Sequence, residues 1–361
     1  MDKGRLRVFF YHTEEVGYIL EQWRAGKFPA HLLYGAAKLA GEGIDVVWHY
    51  PHTKETRWRK MLRTAWHLLT VKGGVDAVYA THYQGMEIII MLRALRLFRR
   101  PVIVWIHQPI IIPEKKWRDR LGCLFYKGFD RMVFFSRDLI DTSLRTRKIR
   151  RESVVLGHWG ADLAYYDNIM EKAESRRGFI STGKEMRDMK TLVAAFNAEK
   201  EQLDIYTGKR MGGVNYEEAL TKCQPQGNIT VHYGNVMEHR KLSLLVARAA
   251  CVVICCMETS YTVGLTTLVE AMALGIPVIC SRNPHFPFDI DAERCGLTVP
   301  YYDVEGWRRA IRAMADNPSE AVEMGRRGRA LAERMFNDNQ CAKEMAQVIK
   351  EAVAETGGRH T

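Results

Sequence analysis

The sequence has no apolar run long enough to cross a membrane. Every apolar stretch falls short of the roughly 18 uninterrupted residues that a spanning helix needs. The opening residues, MDKGRLRVFFYH, hold too short an apolar run for a secretory signal. We therefore expect a soluble or peripheral protein, located in the cytoplasm or at the inner face of the membrane.

Metal-binding and disulfide patterns are also missing. The eight cysteines form no C-x-x-C pair and no Cys/His spacing typical of zinc. Three of them, Cys251, Cys255 and Cys256, fall in the apolar run CVVICC, which predicts a buried central strand. Reduced, buried thiols favour a cytosolic compartment.

The sequence contains no low-complexity tract and no short-period repeat. Its 361 residues are 47% apolar, which excludes global disorder and favours two domains. The net charge of +11 is uneven, because residues 1–160 hold 28 Lys and Arg against 15 Asp and Glu, whereas residues 161–361 hold 25 against 27. A basic half and a near-neutral half predict two domains with different partners.

Short apolar runs alternate with helical patterns along the whole chain. Twelve predicted strands cover residues 6–12, 44–50, 75–82, 101–107, 131–136, 153–160, 178–183, 203–208, 228–234, 251–256, 276–281 and 296–301. Continuous apolar strands separated by helices predict two α/β domains, each a doubly wound parallel sheet. We place them at residues 1–165 and 166–337, with a last helix in 338–361.

The stretch TTLVEAMALGIPVI, residues 266–279, predicts a helix followed by a buried strand. Thr267 and Glu270 have the spacing of a capping box, and Gly275 fits a C-terminal cap. The same helix start is also suited to a ligand, because free N–H groups near Thr266 and Thr267, approached past Gly264, could hold a phosphate. Spacing alone leaves both interpretations open.

Several motifs in order resemble the retaining GT-B glycosyltransferases of family 4. They are VLGHWGADLAYYD, FISTGKEMRDMKTLVAAF, NITVHYGNV, EAMALGIPVIC and CGLTVPYYDVEGWRRAIRAMADNPSEAVEMGRRGRALAE, which together span about residues 150–340. The resemblance implies two Rossmann-like domains facing across a cleft. The first would bind the acceptor and the second the nucleotide sugar, with the last helix crossing back to the first domain.

The resemblance also implies roles for single residues. Glu270 would bind the ribose of the donor nucleotide, and Thr266 and Thr267 would face its diphosphate. Lys184 and Lys190 would neutralise the diphosphate as it leaves, a task that fixed cations can perform without a metal. Arg187 lies between them in sequence and shares this expectation.

The sequence departs from the family pattern where the transferred sugar would bind. Thr262 stands where the family has a second carboxylate, and the nearest acid before it is Glu258. Either Glu258 reaches the sugar from its loop, or hydroxyls and backbone groups hold it. Donor recognition is also expected around Asn235 and Val236.

In the first half, the predicted strand PVIVWIH ends at His107, where the family often has a histidine that touches the donor sugar. A satisfied structural histidine is the alternative. Gly26 and His31 lie in the long first loop, which corresponds to the family's diphosphate loop. Asp289 and Asp291 have D-x-D spacing, but two loop acids without further ligands rarely hold a metal. No metal or other cofactor is expected.

The basic half contains WRKMLRTAWHLL, residues 58–69. One helical face carries an apolar stripe: Trp58, Met61, Leu62, Ala65, Trp66 and Leu69. Ordinary packing, attachment to an anionic membrane surface and nucleic-acid binding are the three interpretations. No helix-turn-helix, RNP or zinc-finger pattern supports nucleic acid, which ranks last. Tryptophans beside cations favour a membrane surface.

Together these observations predict a metal-independent retaining hexosyltransferase that moves a sugar from a nucleotide sugar to an acceptor hydroxyl. The acceptor would be a glycan or lipid-linked molecule of bacterial cell-surface polysaccharide, lipopolysaccharide or glycolipid assembly. The alternatives are another GT-B nucleotide-sugar enzyme, such as an epimerase, and an inactive sugar-nucleotide-binding or membrane scaffold protein.

Overall fold

The structure, a computed structural model of the chain, describes residues 4–50, 55–172, 175–183, 185–211, 213–234 and 238–358. The chain forms two compact units. Unit 1 contains residues 1–25, 30–159 and 338–361, and unit 2 contains residues 26–29 and 160–337. The long first loop therefore contributes four residues to unit 2.

Unit 1 contains a six-stranded, wholly parallel sheet. Its strands are β1 (Leu6–Tyr11), β2 (Ile44–Trp48), β3 (Ala77–Ala80), β4 (Val102–Ile106), β5 (Arg131–Phe134) and β6 (Val154–Leu156). They lie in the order β2-β1-β3-β4-β5-β6. Every residue of β3 and β4 is buried, as expected of central strands covered on both faces.

Helices connect these strands. They are α1 (Val16–Arg24), α2 (Arg57–Thr70), α3 (Glu87–Ala94), α4 (Lys116–Tyr126) and α5 (Arg137–Arg145), with 3-10 turns at Ala30–Leu33, Ala36–Glu42 and Arg151–Ser153. Ser136 caps α5, since its hydroxyl accepts a hydrogen bond from the backbone N–H of Leu139.

Unit 2 repeats the plan. Its strands are β7 (Phe179–Ser181), β8 (Leu203–Thr207), the short antiparallel pair β9 (Arg210–Met211) and β10 (Val214–Asn215), β11 (Ile229–Tyr233), β12 (Cys251–Ile254), β13 (Val278–Ser281) and β14 (Gly296–Val299). The six-stranded sheet has the order β11-β8-β7-β12-β13-β14 and is parallel throughout. This is the doubly wound arrangement, whose order reverses between β7 and β12.

The described residues of this unit form seven helices. They are α6 (Leu163–Met170), α7 (Met189–Glu199), α8 (Tyr216–Cys223), α9 (His239–Ala247), α10 (Leu265–Ala273), α11 (Val304–Asp316) and α12 (Pro318–Arg334). On one face of the sheet, helices α7, α8 and α11 form a core with large buried side chains such as Phe196, Tyr216 and Trp307.

The last helix, α13 (Asp338–Gly358), belongs to unit 1. It packs so closely on the turn at Gly35 that a Cβ there would meet the backbone N of Ala342 at 2.8 Å. Gly35 also has a φ of 78°, so both the space and the backbone conformation require glycine.

The predicted fold class is confirmed, because all twelve predicted strands are present and each set of six forms one parallel sheet. The short pair β9–β10 was not predicted. Among the described residues, no helix has the length and apolar character needed to cross a bilayer.

The two ends of unit 2 run side by side. The N–H of Ala161 donates to the carbonyl of Phe336 at 3.1 Å, and a Cβ on Gly160 would lie 1.8 Å from the Phe336 carbonyl carbon. Only glycine allows this approach of two backbones.

We predict that Gly160→Ala lowers the free energy of unfolding by about 3 kcal/mol or more, because the backbones must separate. Urea denaturation followed by circular dichroism measures the loss. Gly227→Ala is the control, since a Cβ there meets no atom within 4 Å. Equal midpoints for the two variants would contradict the close approach.

Candidate functional site

The loops that follow β7 and β12 lie at the point where the strand order of unit 2 reverses. The two loops are joined by backbone hydrogen bonds, from Met257 N–H to the Met186 carbonyl at 2.8 Å and from Asp188 N–H to the Cys255 carbonyl at 3.0 Å. Ligands of doubly wound sheets bind at such a reversal, beyond the carboxyl ends of the strands. We therefore take these loops and helix α10 as the candidate site.

Helix α10 begins earlier than the sequence predicted. It starts at Leu265, with Gly264 as N-cap in the left-handed region (φ 91°), and no side chain of the described residues caps it. The predicted capping box is therefore wrong, because Thr267 already lies in the first turn. A Cβ on Gly264 would meet the Ile254 side chain at 2.7 Å, which explains why the loop enters the helix through glycine.

The C-terminal cap of α10 is confirmed. Gly275 has a φ of 61°, its N–H donates to the Met272 carbonyl, and the N–H of Ile276 donates to the Ala271 carbonyl. These two bonds form a Schellman motif.

Two residues of α10 stand apart from the rest. All its other residues are buried, whereas Thr266 is exposed and Glu270 is partly exposed. Residues four apart lie on one helical face. The helix therefore presents a hydroxyl near its amino end and a carboxylate one turn further along the same face.

The guanidinium of Arg187 lies beneath the first turn of α10. Arg187 is only 4% exposed, and its Nη2 donates to the Thr267 hydroxyl at 3.2 Å. Its other bonds go to the carbonyls of Thr182 and Glu185 and to the sulfur of Cys256. These four bonds use four of the five N–H donors of the guanidinium.

Arg187 has no counter-ion in the part of the chain that the structure describes. None of the carboxylates there lies within 4.0 Å of its guanidinium, although buried charges are normally paired. A buried cation with one remaining donor, beside a helix amino end, favours an anionic ligand.

Glu270 faces a small aromatic cluster. Its Oε1 lies 3.6 Å from His239 Nε2, and the same nitrogen lies 3.5 Å from the Tyr166 hydroxyl. Burial and the nearby Glu270 raise the pKa of Tyr166 well above its usual value. The ring of Phe28, in the first-loop segment that belongs to unit 2, lies 4.8 Å from the His239 ring.

Sequence reasoning missed Tyr166, His239 and Phe28. A signal existed for His239, which opens a helix directly after a predicted strand. Gly26, in the same loop segment as Phe28, accepts a hydrogen bond at its carbonyl from Arg240 at 2.7 Å.

The remaining predicted donor residues are placed as follows. Lys190 is an exposed residue at the start of α7. Burial raises the pKa of the Cys223 thiol, and the positive charge of Lys190 partly opposes this rise. Glu258 is exposed, and its N–H donates to the Tyr302 hydroxyl at 3.1 Å. Three others, Lys184, Asn235 and Val236, lie outside the described residues.

The two aspartates of the D-x-D sequence form hydrogen bonds with nearby backbone groups. Asp289 accepts hydrogen bonds from the N–H groups of Asp291 and Ala292, and Asp291 accepts from the N–H of Thr298. No group of three or more His, Cys, Asp or Glu residues within the described ranges could hold a metal ion.

In unit 1, three histidines follow three neighbouring strands. His12 follows β1, His82 follows β3 and His107 follows β4. The rings of His82 and His107 stack with centroids 4.1 Å apart, and those of His12 and His82 are 5.9 Å apart. Sequence reasoning singled out His107 and missed its two neighbours.

Hydrogen bonds fix the tautomers of this histidine cluster. His107 Nε2 donates to the Thr81 carbonyl at 2.8 Å, while His12 Nε2 donates to the Leu32 carbonyl and His12 Nδ1 accepts from the N–H of Glu14. Burial lowers the pKa of His12 to about 4, and burial with the neighbouring histidines lowers the pKa of His82 to about 3. His12 and His82 are therefore neutral at pH 7.

His31, the other first-loop candidate, is fully buried in unit 1. Its ring packs edge-on against Trp159 with centroids 5.3 Å apart, and its carbonyl accepts a hydrogen bond from the Trp159 indole. These are the contacts of a core residue.

The architecture matches a known fold. Two six-stranded parallel Rossmann-like sheets, the second with order 3-2-1-4-5-6 within its unit, form the GT-B fold of glycosyltransferases. Sucrose-phosphate synthase from Thermosynechococcus elongatus has this fold with a TM-score of 0.70 over 97% of this chain and 100% of its own, at 16% identity. Anabaena HepE, solved in complex with UDP and glucose, gives a TM-score of 0.66 over 96% of this chain and 100% of its own, at 13% identity.

A sequence comparison gives a match over less than half of the chain. Residues 172–331 match the family "Glycosyl transferases group 1", which confirms the resemblance predicted from the motifs. A D-inositol 3-phosphate glycosyltransferase from Saccharomonospora viridis is 34% identical over 95 residues, 26% of this chain and 22% of the relative. The chain matches only 19–36% of the length of its curated relatives.

The histidine cluster predicts a pH dependence of stability. Since the pKa values of His12 and His82 are lower in the folded than in the unfolded chain, the unfolded chain binds more protons below pH 6.5. Stability should therefore be fully present above pH 6.5 and fall by several kcal/mol, about 1.4 kcal/mol per pKa unit, as the pH drops toward 4 and then 3.

Urea midpoints measured between pH 7.5 and 4.5 test this prediction. His82→Asn should flatten the slope of stability against pH, whatever its effect on stability at pH 7.5. An unchanged slope would show that His82 does not resist protonation in the folded state.

Proposed function

We propose that the protein is a retaining glycosyltransferase that moves a sugar from a nucleotide-sugar donor to an acceptor hydroxyl. The observation that carries the proposal is the buried guanidinium of Arg187 beneath the amino end of α10, which has no carboxylate partner among the described residues. A donor diphosphate supplies the negative charge that this position lacks. The family match over residues 172–331 and the UDP complex of a protein with the same fold support this choice.

In the proposed complex, the diphosphate lies against the first turn of α10. The backbone N–H groups near Thr266 and Thr267 donate to it, and the helix dipole stabilises its charge. Arg187 uses its fifth donor on a phosphate oxygen. Lys184 and Lys190 are proposed as further cations.

Glu270 is proposed to accept hydrogen bonds from the two ribose hydroxyls. It lies one turn from Thr266 on the same face, so a nucleotide whose diphosphate binds the amino end extends its ribose along the helix. Phe28 and Tyr166 offer apolar surface beside this position. Base recognition is assigned to the segment around Asn235 and Val236, and contact with the transferred sugar to Glu258 or the backbone of its loop.

The chemical step needs charge stabilisation rather than a protein nucleophile. As the bond from the anomeric carbon to the diphosphate oxygen breaks, negative charge grows on the leaving group, and the preorganised N–H groups and cations stabilise it. The acceptor hydroxyl forms the new bond on the same face and passes its proton to the leaving diphosphate. This series of steps retains the anomeric configuration and uses no metal.

We predict that Glu270→Gln weakens donor binding by about 100-fold, because two hydrogen bonds to a carboxylate are replaced by weaker ones. Calorimetric titration, with the nucleotide sugar chosen from a thermal-shift panel, measures the loss of affinity.

Arg187→Lys should keep the positive charge but lose the planar guanidinium and its paired donors. We expect this variant to release nucleoside diphosphate from the donor more slowly than the wild-type protein.

Glu217→Gln, on the exposed surface of α8, is the matched control and should bind the donor normally. If Glu270→Gln binds the donor as tightly as this control, the ribose assignment is wrong. If the wild-type protein binds no nucleotide sugar or diphosphate of the panel, the proposed function fails.

Unit 1 offers a surface suited to a membrane-bound acceptor. Helix α2 buries Met61, Thr64, Ala65 and Leu68 but exposes four large apolar side chains: Trp58 (70%), Leu62 (60%), Trp66 (72%) and Leu69 (60%). The predicted apolar stripe is thus divided between the core and the surface. At 100° per residue the exposed four lie within an arc of about 80°.

We propose that this face of α2 binds the interface of an anionic membrane. Arg59 lies beside the exposed arc. The helix therefore presents a cation next to tryptophan side chains, a combination that is typical of helices at a membrane interface. Burying each apolar side chain fully would contribute about 1.5–3 kcal/mol, and the positive excess of residues 1–160 adds attraction to anionic lipid. A lipid-linked acceptor would be reached from such a surface.

Co-sedimentation with vesicles tests the membrane proposal. The wild-type protein should bind phosphatidylglycerol-containing vesicles more tightly than phosphatidylcholine vesicles, and Trp58→Ser/Trp66→Ser should lower that binding about tenfold or more. Val322→Ser, an exposed apolar position in unit 2, should change nothing. Equal binding to both vesicle types, or to neither, would refute the proposal.

A further inference from the structure

A cavity of about 930 Å³ lies in unit 1 at the amino ends of its strands. Its wall includes Arg99, just before β4, Arg131, the first residue of β5, and Ser153, just before β6. The histidine cluster follows the carboxyl ends of the same sheet. The cavity is therefore separate from the histidine cluster.

Cations dominate the cavity wall. Eight Lys or Arg residues line it, against three acidic residues. The last turns of α3 and α4 contribute lining residues, and Arg147 follows the C-terminus of α5. Each of these three C-termini carries about half a negative charge, or about 1.5 charges together. Because the side-chain excess is five positive charges, helix dipoles neutralise less than a third of it.

Four of the cations have partners. Arg93 forms a two-bond ion pair with Asp130, and Lys148 pairs with Asp119 at 2.7 Å. Arg131 pairs with Glu355, and Arg150 with Glu152. These pairs account for all three acidic side chains of the wall and for one acid beyond it.

The other four, Arg96, Arg99, Lys127 and Arg147, are exposed and have no ion pair or side-chain hydrogen bond with any described residue. Four like charges that share one cavity repel one another. An anion bound in the cavity would be attracted by all four cations and would offset their mutual repulsion.

The donors of the wall fit phosphate in particular. Three of the four unpaired cations are arginines, whose planar guanidinium matches phosphate oxygens with two parallel hydrogen bonds. The hydroxyl of Tyr126 also lines the cavity, whereas those of Ser153 and Thr356 already donate to the carbonyls of Arg150 and Ala352. Burial and the neighbouring Tyr83 raise the pKa of Tyr126 to about 12, so its hydroxyl stays protonated and able to donate.

We infer that this cavity binds a phosphate-bearing anion, held by Arg96, Arg99, Lys127 and Arg147. The anion is either a free phosphate compound or the phosphate of a lipid headgroup. The site lies apart from the proposed donor site, which belongs to unit 2.

The test uses the full chain with two double variants that remove equal charge. Arg96→Gln/Arg147→Gln removes two unpaired cavity cations. Arg120→Gln/Arg145→Gln is the control, because both arginines are exposed in the same unit and neither lines the cavity. Thermal unfolding establishes that both variants are folded.

Calorimetric titration with inorganic pyrophosphate probes a free ligand. The cavity variant should bind about tenfold or more weakly than the control at 0.15 M salt. Any pyrophosphate bound in unit 2 contributes equally to both variants and cancels in the comparison.

Vesicles containing phosphatidylglycerol probe a headgroup. If only vesicle binding falls about tenfold in the cavity variant relative to the control, the phosphate belongs to a lipid. If the two variants bind both pyrophosphate and vesicles equally, the inference is overturned.

Discussion

The candidate site of unit 2 depends on one buried guanidinium. Arg187 joins the loop after β7 to the loop after β12 and to the first turn of α10, which lie about 70 to 80 residues further along the chain. Its four hydrogen bonds satisfy most of its donors, but in the described part of the chain no carboxylate balances its charge. Because this positive charge is buried beside a helix amino end, the site is preorganised for an anion.

The two units use the same plan for different chemistry. In unit 2, loops at the strand reversal bring a cation and a helix amino end together. In unit 1, the strands next to the reversal are followed by His12, His82 and His107, whose rings form a polar cluster at the carboxyl ends of these strands. Unit 1 also carries most of the surface features, namely the exposed face of α2 and the cationic cavity.

Part of the candidate site could be predicted from sequence. The strands were predictable because central parallel strands are apolar on both faces. Motif order led to the prediction that Glu270 binds the donor ribose. The capping-box interpretation failed because spacing cannot show where a helix begins. Gly264 enters α10 from the left-handed region, which moves the start two residues upstream of Thr267 and leaves its hydroxyl to accept from Arg187.

What the sequence by itself determined was the pair of doubly wound sheets and the resemblance to glycosyltransferases, because apolar periodicity and motif order are local properties of the chain. Only the tertiary structure could show that Arg187 is the cation beneath α10, that Tyr166 and His239 accompany Glu270, and that four of the six residues of the α2 stripe face outward. Pairing and burial depend on which distant segments pack together, and residue spacing does not contain that information.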